Sequence, residues 1–116
     1  MALKKGDIVL VQFPFSDLTQ TKLRPGLVLA VNLNIDEITI CFISSQNVPS
    51  LNSNEFAIVK SDDEFSQTGL KTDSKVRVTR VITLERKLIL RKIGALGKQQ
   101  TKTLNKILIQ AFDLSS

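Results

Sequence analysis

The stretch FPFSDLTQTKLRPGLVLAV, residues 13–31, places a polar loop between two runs of strand-forming residues. The preceding run, residues 7–13 (DIVLVQF), alternates between apolar positions on two faces, and Pro14 ends it because proline cannot donate to a central ladder. Residues 25–32 (PGLVLAVN) are almost continuously apolar, which is typical of a buried strand. The pattern predicts two strands joined by a polar loop that ends at Arg24.

Further strands are predicted from the same signals. Residues 38–44 (ITICFIS) follow the turn NIDE and should form a hairpin with the second strand. The segment TLERKL, residues 83–88, predicts a single helical turn. The remaining predicted strands are residues 55–59, 74–82 and 88–94.

The last segment, residues 98–112, has the spacing of an amphipathic helix. Five to six antiparallel strands with a packed terminal helix predict a mainly β fold, a small and strongly bent sheet or half-barrel. A chain of 116 residues predicts one domain, residues 1–116. The apolar stripe of the helix consists of Leu104, Ile107, Leu108, Ala111 and Phe112.

The fifth predicted strand, SKVRVTRVI, carries several cations. Under strict alternation Arg80 would share the face of Val76 and Val78. Lys75 and Arg77 would then lie on the opposite face and make it basic.

The composition excludes several kinds of site. The chain has one cysteine, Cys41, and no histidine, which excludes an internal disulfide, zinc sites and Ser-His or Cys-His nucleophile arrangements. Cys41 lies in an apolar run, so we expect a buried structural thiol. We expect neither a metal nor a cofactor. With no membrane-spanning apolar run and no signal peptide, the chain is expected to be cytoplasmic.

The net charge of +5 is unevenly distributed. Residues 71–116 hold eleven basic and three acidic side chains, whereas residues 51–70 hold one basic and four acidic ones. Such a distribution suits either a basic face for a polyanion or an ordinary solvated surface, and charge alone does not separate the two.

Arg24 is the first candidate functional residue. It precedes Pro25, which restricts its backbone to extended conformations, and it follows a loop rich in hydrogen-bond donors. A guanidinium binds two oxygens of a phosphate at once, which an ammonium cannot do. Arg24 would therefore suit a phosphate site; the ordinary alternative is a surface or strand-edge arginine.

The second candidate lies in ISSQN, at the end of the third predicted strand. If the second and third strands form a hairpin, Ser44 and Ser45 lie near Arg24. A hydroxyl within reach of a guanidinium would complete a phosphate pocket. A Ser-Ser pair at a strand end is otherwise an ordinary cap.

Three stretches together resemble the MazF/PemK-type toxins of bacterial toxin–antitoxin pairs, in particular the PemK-like branch. The resemblance runs from about Lys5 to the terminal helix and rests on the combination of Gly6-Asp7, Arg24-Pro25, Ser44 and Leu70-Lys71, each of which is weak alone. The stretches are KKGDIVLVQFPFSDLTQTKLRPGLVL, ISSQ and LKTDSKVRVTRVITLERKLILRKIGAL.

The resemblance implies a CcdB/SH3-like barrel that forms a homodimer and is neutralised by a cognate antitoxin. It also implies a metal-independent endoribonuclease, an mRNA interferase, that cleaves single-stranded RNA by attack of the RNA 2′-hydroxyl on its own phosphate. The family's arginine maps onto Arg24 and its hydroxyl partner, usually threonine, maps onto Ser44, which lacks the χ1 stiffness of a branched side chain. The helix start GKQQTK suggests weaker capping than in other members.

Other side chains are expected to contact RNA. Two different functions stay open: a toxin that grips a protein target such as DNA gyrase, as the related CcdB branch does, and a non-catalytic nucleic-acid-binding barrel. The expected RNA-binding residues are Phe15, Thr19, Lys22, Ser45, Gln46, Asn47, Arg77 and Arg80.

Overall fold

The computed structural model describes residues 2–13 and 22–114. Its framework is one antiparallel six-stranded sheet with the strand order β4-β5-β3-β2-β1-β6, followed by a C-terminal helix. The predicted mainly β fold is therefore confirmed. No helix in the described ranges is long and apolar enough to cross a membrane. The elements are β1 (Asp7–Phe13), β2 (Lys22–Asn32), β3 (Glu37–Ser44), β4 (Glu55–Ile58), β5 (Ser74–Glu85), β6 (Ile89–Ala95) and α1 (Lys98–Ala111), with short 3₁₀ turns at Ser66–Thr68 and Arg86–Leu88.

Two strand boundaries differ from the sequence prediction by more than one residue. Strand β2 begins at Lys22, so Arg24 lies within the strand instead of preceding it. The helical turn predicted for residues 83–88 is correct only in its second half. Residues 83–85 continue β5, and the 3₁₀ turn begins at Arg86.

Register shifts bend the sheet. Between β2 and β3, Val28 pairs with Ile40 and Ala30 pairs with Thr39, which leaves Leu29 without a partner. Two further shifts interrupt the pairing of β1 with β6. Extra residues of this kind kink a strand and increase its twist, and they give the sheet its half-barrel curvature.

Apolar side chains are buried in two clusters. Alternation along β1 divides the clusters, because Ile8 belongs to one and Val9 and Val11 to the other. The helix packs on the cluster of Ile8 through Leu104 and Ile107. The first cluster is Ile8, Leu27, Cys41, Ile43, Phe56, Ile58, Val76, Val78, Leu96, Leu104 and Ile107, and the second is Val9, Val11, Val28, Ile38, Ile40, Leu84 and Ile89.

The predicted apolar stripe of the helix is wrong at Phe112. This side chain is exposed at the C-terminal cap of the helix.

The N-terminus of α1 is capped from a distant part of the chain. A carboxylate oxygen of Glu64 accepts the N–H of Gln99 at 3.0 Å, and the other accepts the N–H of Gln100 at 2.9 Å. The side-chain oxygen of Gln100 accepts the N–H of Gly97 at 2.9 Å. A carboxylate here satisfies otherwise unpaired donors and complements the helix dipole, although the N-cap residue itself, Gly97, has no side chain to contribute.

Two glycines let the segment after the first 3₁₀ turn pack directly on β6. Gly69 has a φ of +74°, and a Cβ there would overlap the carbonyl of Ile93. A Cβ on Gly94 would overlap the backbone of Thr68. The Thr68 hydroxyl donates to the Phe65 carbonyl at 2.6 Å and accepts the N–H of Leu70 at 3.2 Å. These contacts fix residues 68–70 against β6.

Candidate functional site

A groove of about 630 Å³ lies between the sheet and the segment of residues 69–72. Strands β2 and β3 supply one side, β5 borders it, and β6 together with residues 69–72 forms the far wall. The described residues that line it are Leu10, Arg24, Pro25, Phe42, Ile43, Ser44, Ser45, Gly69, Leu70, Lys71, Thr72, Ser74, Arg77, Arg80, Arg91 and Ile93.

The described lining of the groove is cationic. It contains four arginines and one lysine but no aspartate or glutamate. Arg77 is paired with the carboxylate of Glu55, whereas no carboxylate of residues 2–13 and 22–114 forms an ion pair with the other four cations. The unpaired cations are Arg24, Lys71, Arg80 and Arg91.

Arg24 and Ser44 lie on neighbouring strands and line the same groove. The pairing of β2 with β3 ends at Gly26 and Phe42, and Arg24 and Ser44 each lie two residues beyond this pair, at the same end of the hairpin. Arg24 is exposed and Ser44 is half-buried, so both are open to a ligand in the groove.

A backbone hydrogen bond holds the Ser44 hydroxyl. The N–H of Gln46 donates to Ser44 Oγ at 3.1 Å. Because this bond uses an acceptor site, the hydroxyl hydrogen stays available to donate. The bond also restrains rotation of the side chain, which offsets the missing χ1 stiffness of a branched residue.

Strand β5 brings two arginines into the groove by breaking its own alternation. Phe42 pairs with Arg77, but the next pair joins Cys41 to Val81, so residues 78–80 have no partner on β3 between these two pairs. Arg77 and Arg80 consequently line the same groove. The predicted placement of these arginines on opposite faces is therefore wrong, because the extra residues shift the phase of the strand.

Glu55 sits beneath this edge of the groove in a buried charged network. Its carboxylate lies 3.4 Å from Lys75 Nζ and accepts from Arg77 Nε at 3.0 Å and from the N–H of Asn52 at 3.1 Å. Lys75 also donates to the carbonyl of Ser50 at 2.9 Å. Burial opposes ionisation of Glu55, but the Asn52 N–H and the two cations together outweigh it and lower the pKa. Lys75 is thus buried and internally paired, so it does not contribute to a basic face as predicted.

The other predicted RNA contacts are placed unevenly. Ser45 lines the groove, whereas Gln46 and Asn47 are exposed just beyond its lining. Lys22 is exposed near the start of β2 and does not line the groove. The predictions for Phe15 and Thr19 lie outside the described residues.

Arg91 is a groove residue that the sequence reasoning missed. It precedes Lys92 on β6, and adjacent strand residues point to opposite faces. Lys92 turns to the buried carboxylate of Asp7, with a Nζ–Oδ1 distance of 3.2 Å, whereas Arg91 lines the groove. From the sequence, the adjacent Arg91 and Lys92 are predicted to point to opposite faces of the sheet. The sequence does not indicate which of the two faces the groove.

Cys41 is buried in the first apolar cluster, and burial raises the pKa of its thiol to about 12. The predicted structural thiol is confirmed, because a protonated and inaccessible sulfur is a poor nucleophile. In the described ranges no group of three or more His, Cys, Asp or Glu side chains is arranged to hold a metal ion.

The sequence and the fold were compared with those of known proteins. A family model described as PemK-like, MazF-like toxin of type II toxin-antitoxin system matches residues 4–112. A search of curated proteins found no significant match.

Solved structures share the fold. A mycobacterial endoribonuclease in complex with its cognate antitoxin superposes with a TM-score of 0.73 at 14% identity, covering 99% of each chain. The Mycobacterium tuberculosis toxin MazF-mt6 gives a TM-score of 0.72 at 22% identity, covering 95% of this chain and 99% of the toxin. At these identities the likeness concerns the fold alone.

Proposed function

Because the chain belongs to the PemK-like, MazF-like toxin family of type II toxin–antitoxin systems, we propose that it is a metal-independent endoribonuclease that cleaves single-stranded RNA. The observation that supports this most directly is that Arg24 and Ser44 line one open groove whose described lining carries cations and no carboxylates.

The reaction we propose is an internal transphosphorylation. The 2′-oxygen of the RNA forms a bond to the adjacent phosphorus and releases its proton, while the bond from phosphorus to the 5′-oxygen breaks and that oxygen takes up a proton. The products are a 2′,3′-cyclic phosphate and a 5′-hydroxyl end. Since RNA supplies the nucleophile, the protein has to stabilise the charge that builds on the phosphoryl oxygens.

Arg24 and Ser44 suit this task. The guanidinium donates two parallel hydrogen bonds to phosphoryl oxygens, and the Ser44 hydroxyl, held by the Gln46 N–H, donates another.

The groove also suits an unpaired strand. Leu10, Phe42 and Ile93, which are partly buried, give it an apolar surface beside the cations. Apolar and aromatic side chains receive the faces of unstacked bases, whereas arginine and lysine contact the backbone. Arg77, Arg80 and Ser45 are the predicted RNA contacts that line it.

The partners we propose follow from the family. They are a cognate antitoxin that neutralises the toxin and a second copy of this chain in a homodimer, in the cytoplasm. A structural neighbour, the mycobacterial endoribonuclease, is bound to its cognate antitoxin.

The deciding experiment is end-mapping of RNA fragments. We expect the purified protein to cleave single-stranded RNA in the presence of EDTA and to leave 2′,3′-cyclic phosphate and 5′-hydroxyl ends. RNA that is bound but stays intact for hours would favour a non-catalytic nucleic-acid-binding barrel. Inhibition of DNA gyrase with intact RNA would favour a protein-targeting toxin.

Substitutions of Ser44 test the hydroxyl. We expect Ser44→Ala to lower kcat about 10²-fold, because it removes one donor to the developing charge. Ser44→Thr should keep most of the activity, since threonine retains the hydroxyl. Single-turnover cleavage of a short RNA measures both variants, and unchanged cleavage by Ser44→Ala would exclude Ser44 from the mechanism.

A further inference from the structure

We propose that Arg91 and Lys71, on the far wall of the groove, form a second phosphate subsite that binds the RNA backbone away from the cleaved linkage. This inference rests on the proposed function for the identity of the ligand. It adds two contacts that neither the sequence reasoning nor the proposed reaction assigns.

The first argument is the charge balance of the wall. Arg91 and Lys71 are exposed, line the groove and have no carboxylate partner among the described residues. By contrast, Lys92, next to Arg91, is paired with Asp7. A groove wall that keeps two cations unpaired is matched to an anionic ligand.

The second argument is distance. Arg91 pairs with Leu10, and Leu10 pairs with Pro25, the neighbour of Arg24. Two strand spacings separate the backbones of Arg91 and Pro25 by about 9–10 Å. Arg24 and Ser44 lie at the same end of the β2–β3 hairpin and suit a single phosphate, whereas Arg91 lies two strands away from Pro25 and suits another phosphate.

The third argument is rigidity. Lys71 follows the turn in which Thr68 accepts the N–H of Leu70, and Gly69 packs on Ile93, two residues from Arg91. The two cations therefore project from backbones that are fixed to each other, which lowers the entropy cost of binding a phosphate between them.

Binding of a strand that cannot be cleaved tests the subsite. The probe is a fluorescent single-stranded oligodeoxynucleotide of about eight nucleotides, which lacks the attacking 2′-hydroxyl. Unlabelled oligodeoxynucleotides with one or several phosphates compete with it. The wild-type protein should bind the longer competitor more tightly than the competitor with one phosphate.

We expect Arg91→Ala to weaken binding of the longer strand about tenfold and to remove most of this gain with length. The slope of log K against log salt concentration should fall by about 0.7, which is the share of the slope that each neutralised phosphate of a single strand contributes. Lys71→Ala should act in the same direction. Lys102→Ala, which removes an exposed lysine on α1 outside the groove, is the matched control and should keep the wild-type affinity.

Three outcomes would overturn the subsite. In the first, the wild-type protein does not bind the probe; in the second, Arg91→Ala weakens binding of the short and the long competitor equally; in the third, Arg91→Ala and Lys102→Ala weaken binding of the longer strand equally. The readout does not depend on cleavage. Failure of the ribonuclease proposal, which appears as intact RNA in the end-mapping experiment, is therefore distinguishable from failure of the subsite.

Discussion

Arg24→Ala is expected to lower kcat/KM for RNA cleavage at least about 10²-fold while leaving the melting temperature unchanged. The side chain is exposed and has no ion pair with any described carboxylate, so folding gains little from it. The loss is expected in the transition state, where the Arg24 guanidinium would stabilise the charge that builds on the phosphoryl oxygens. Single-turnover cleavage and thermal unfolding measure the two quantities.

Arg24→Lys separates the effect of charge from that of shape. Lysine keeps the positive charge but lacks the planar fork, so we expect activity between those of Arg24→Ala and the wild type. Lys106→Ala, on the exposed side of α1, controls for the removal of one positive charge from the whole protein. Full activity of Arg24→Ala would remove Arg24 from the mechanism.

Glu55→Gln is expected to destabilise the protein by about 3 kcal/mol, because it leaves Lys75 buried without its counter-charge. The Glu55 and Lys75 side chains are only 5% and 11% exposed, whereas Arg77, at 41%, is partly solvated. For a domain of this size a destabilisation of that order lowers the melting temperature by about 10 °C or more. Thermal or urea unfolding at neutral pH provides the measurement.

The pH dependence gives an independent check with a defined sign. The pKa of Glu55 is lowered in the folded protein from its ordinary value of 4.5. The ionised carboxylate therefore makes its full contribution to the free energy of unfolding at any pH above that value. The contribution is lost as the pH falls through the lower, folded pKa. The difference in stability between wild type and Glu55→Gln should therefore shrink in acid.

Glu85→Gln is the matched control for this prediction. Glu85 and Lys87 form an ion pair in which both side chains are mostly exposed, at 63% and 77%. Such pairs contribute about 0–1 kcal/mol, so this variant should unfold close to the wild type. Equal destabilisation by both substitutions would contradict a special role of the buried network.

Local patterns predicted much of the fold. The apolar runs of residues 7–13 and 38–44 marked β1 and β3, and the turn NIDE marked the link between β2 and β3. The position of Arg24 and Ser44 on one groove was also predictable, since a hairpin brings the start of its first strand beside the end of its second. These features depend on contacts between neighbouring strands along the chain.

Features that depend on distant contacts were missed. The alternation of SKVRVTRVI does not indicate that residues 78–80 of β5 lack partners on β3. The position of Arg77 and Arg80 in the same groove could therefore not be predicted from the sequence. Glu64 caps a helix that begins more than thirty residues later. The role of Arg91 depends on the pairing of β6 with β1, two strands that lie at opposite ends of the sequence.

Several carboxylates make contacts inside the protein, and this affects the long-range electrostatic attraction between the protein and charged molecules in solution. Asp7, Glu55 and Glu64 direct their charge at Lys92, at the Lys75–Arg77 pair and at the start of α1. Within the described residues, the acidic insert of residues 51–70 therefore neutralises only Arg77 among the cations of the groove. A polyanion is drawn toward the groove before any contact forms, and beyond a Debye length of about 8 Å physiological salt screens that attraction.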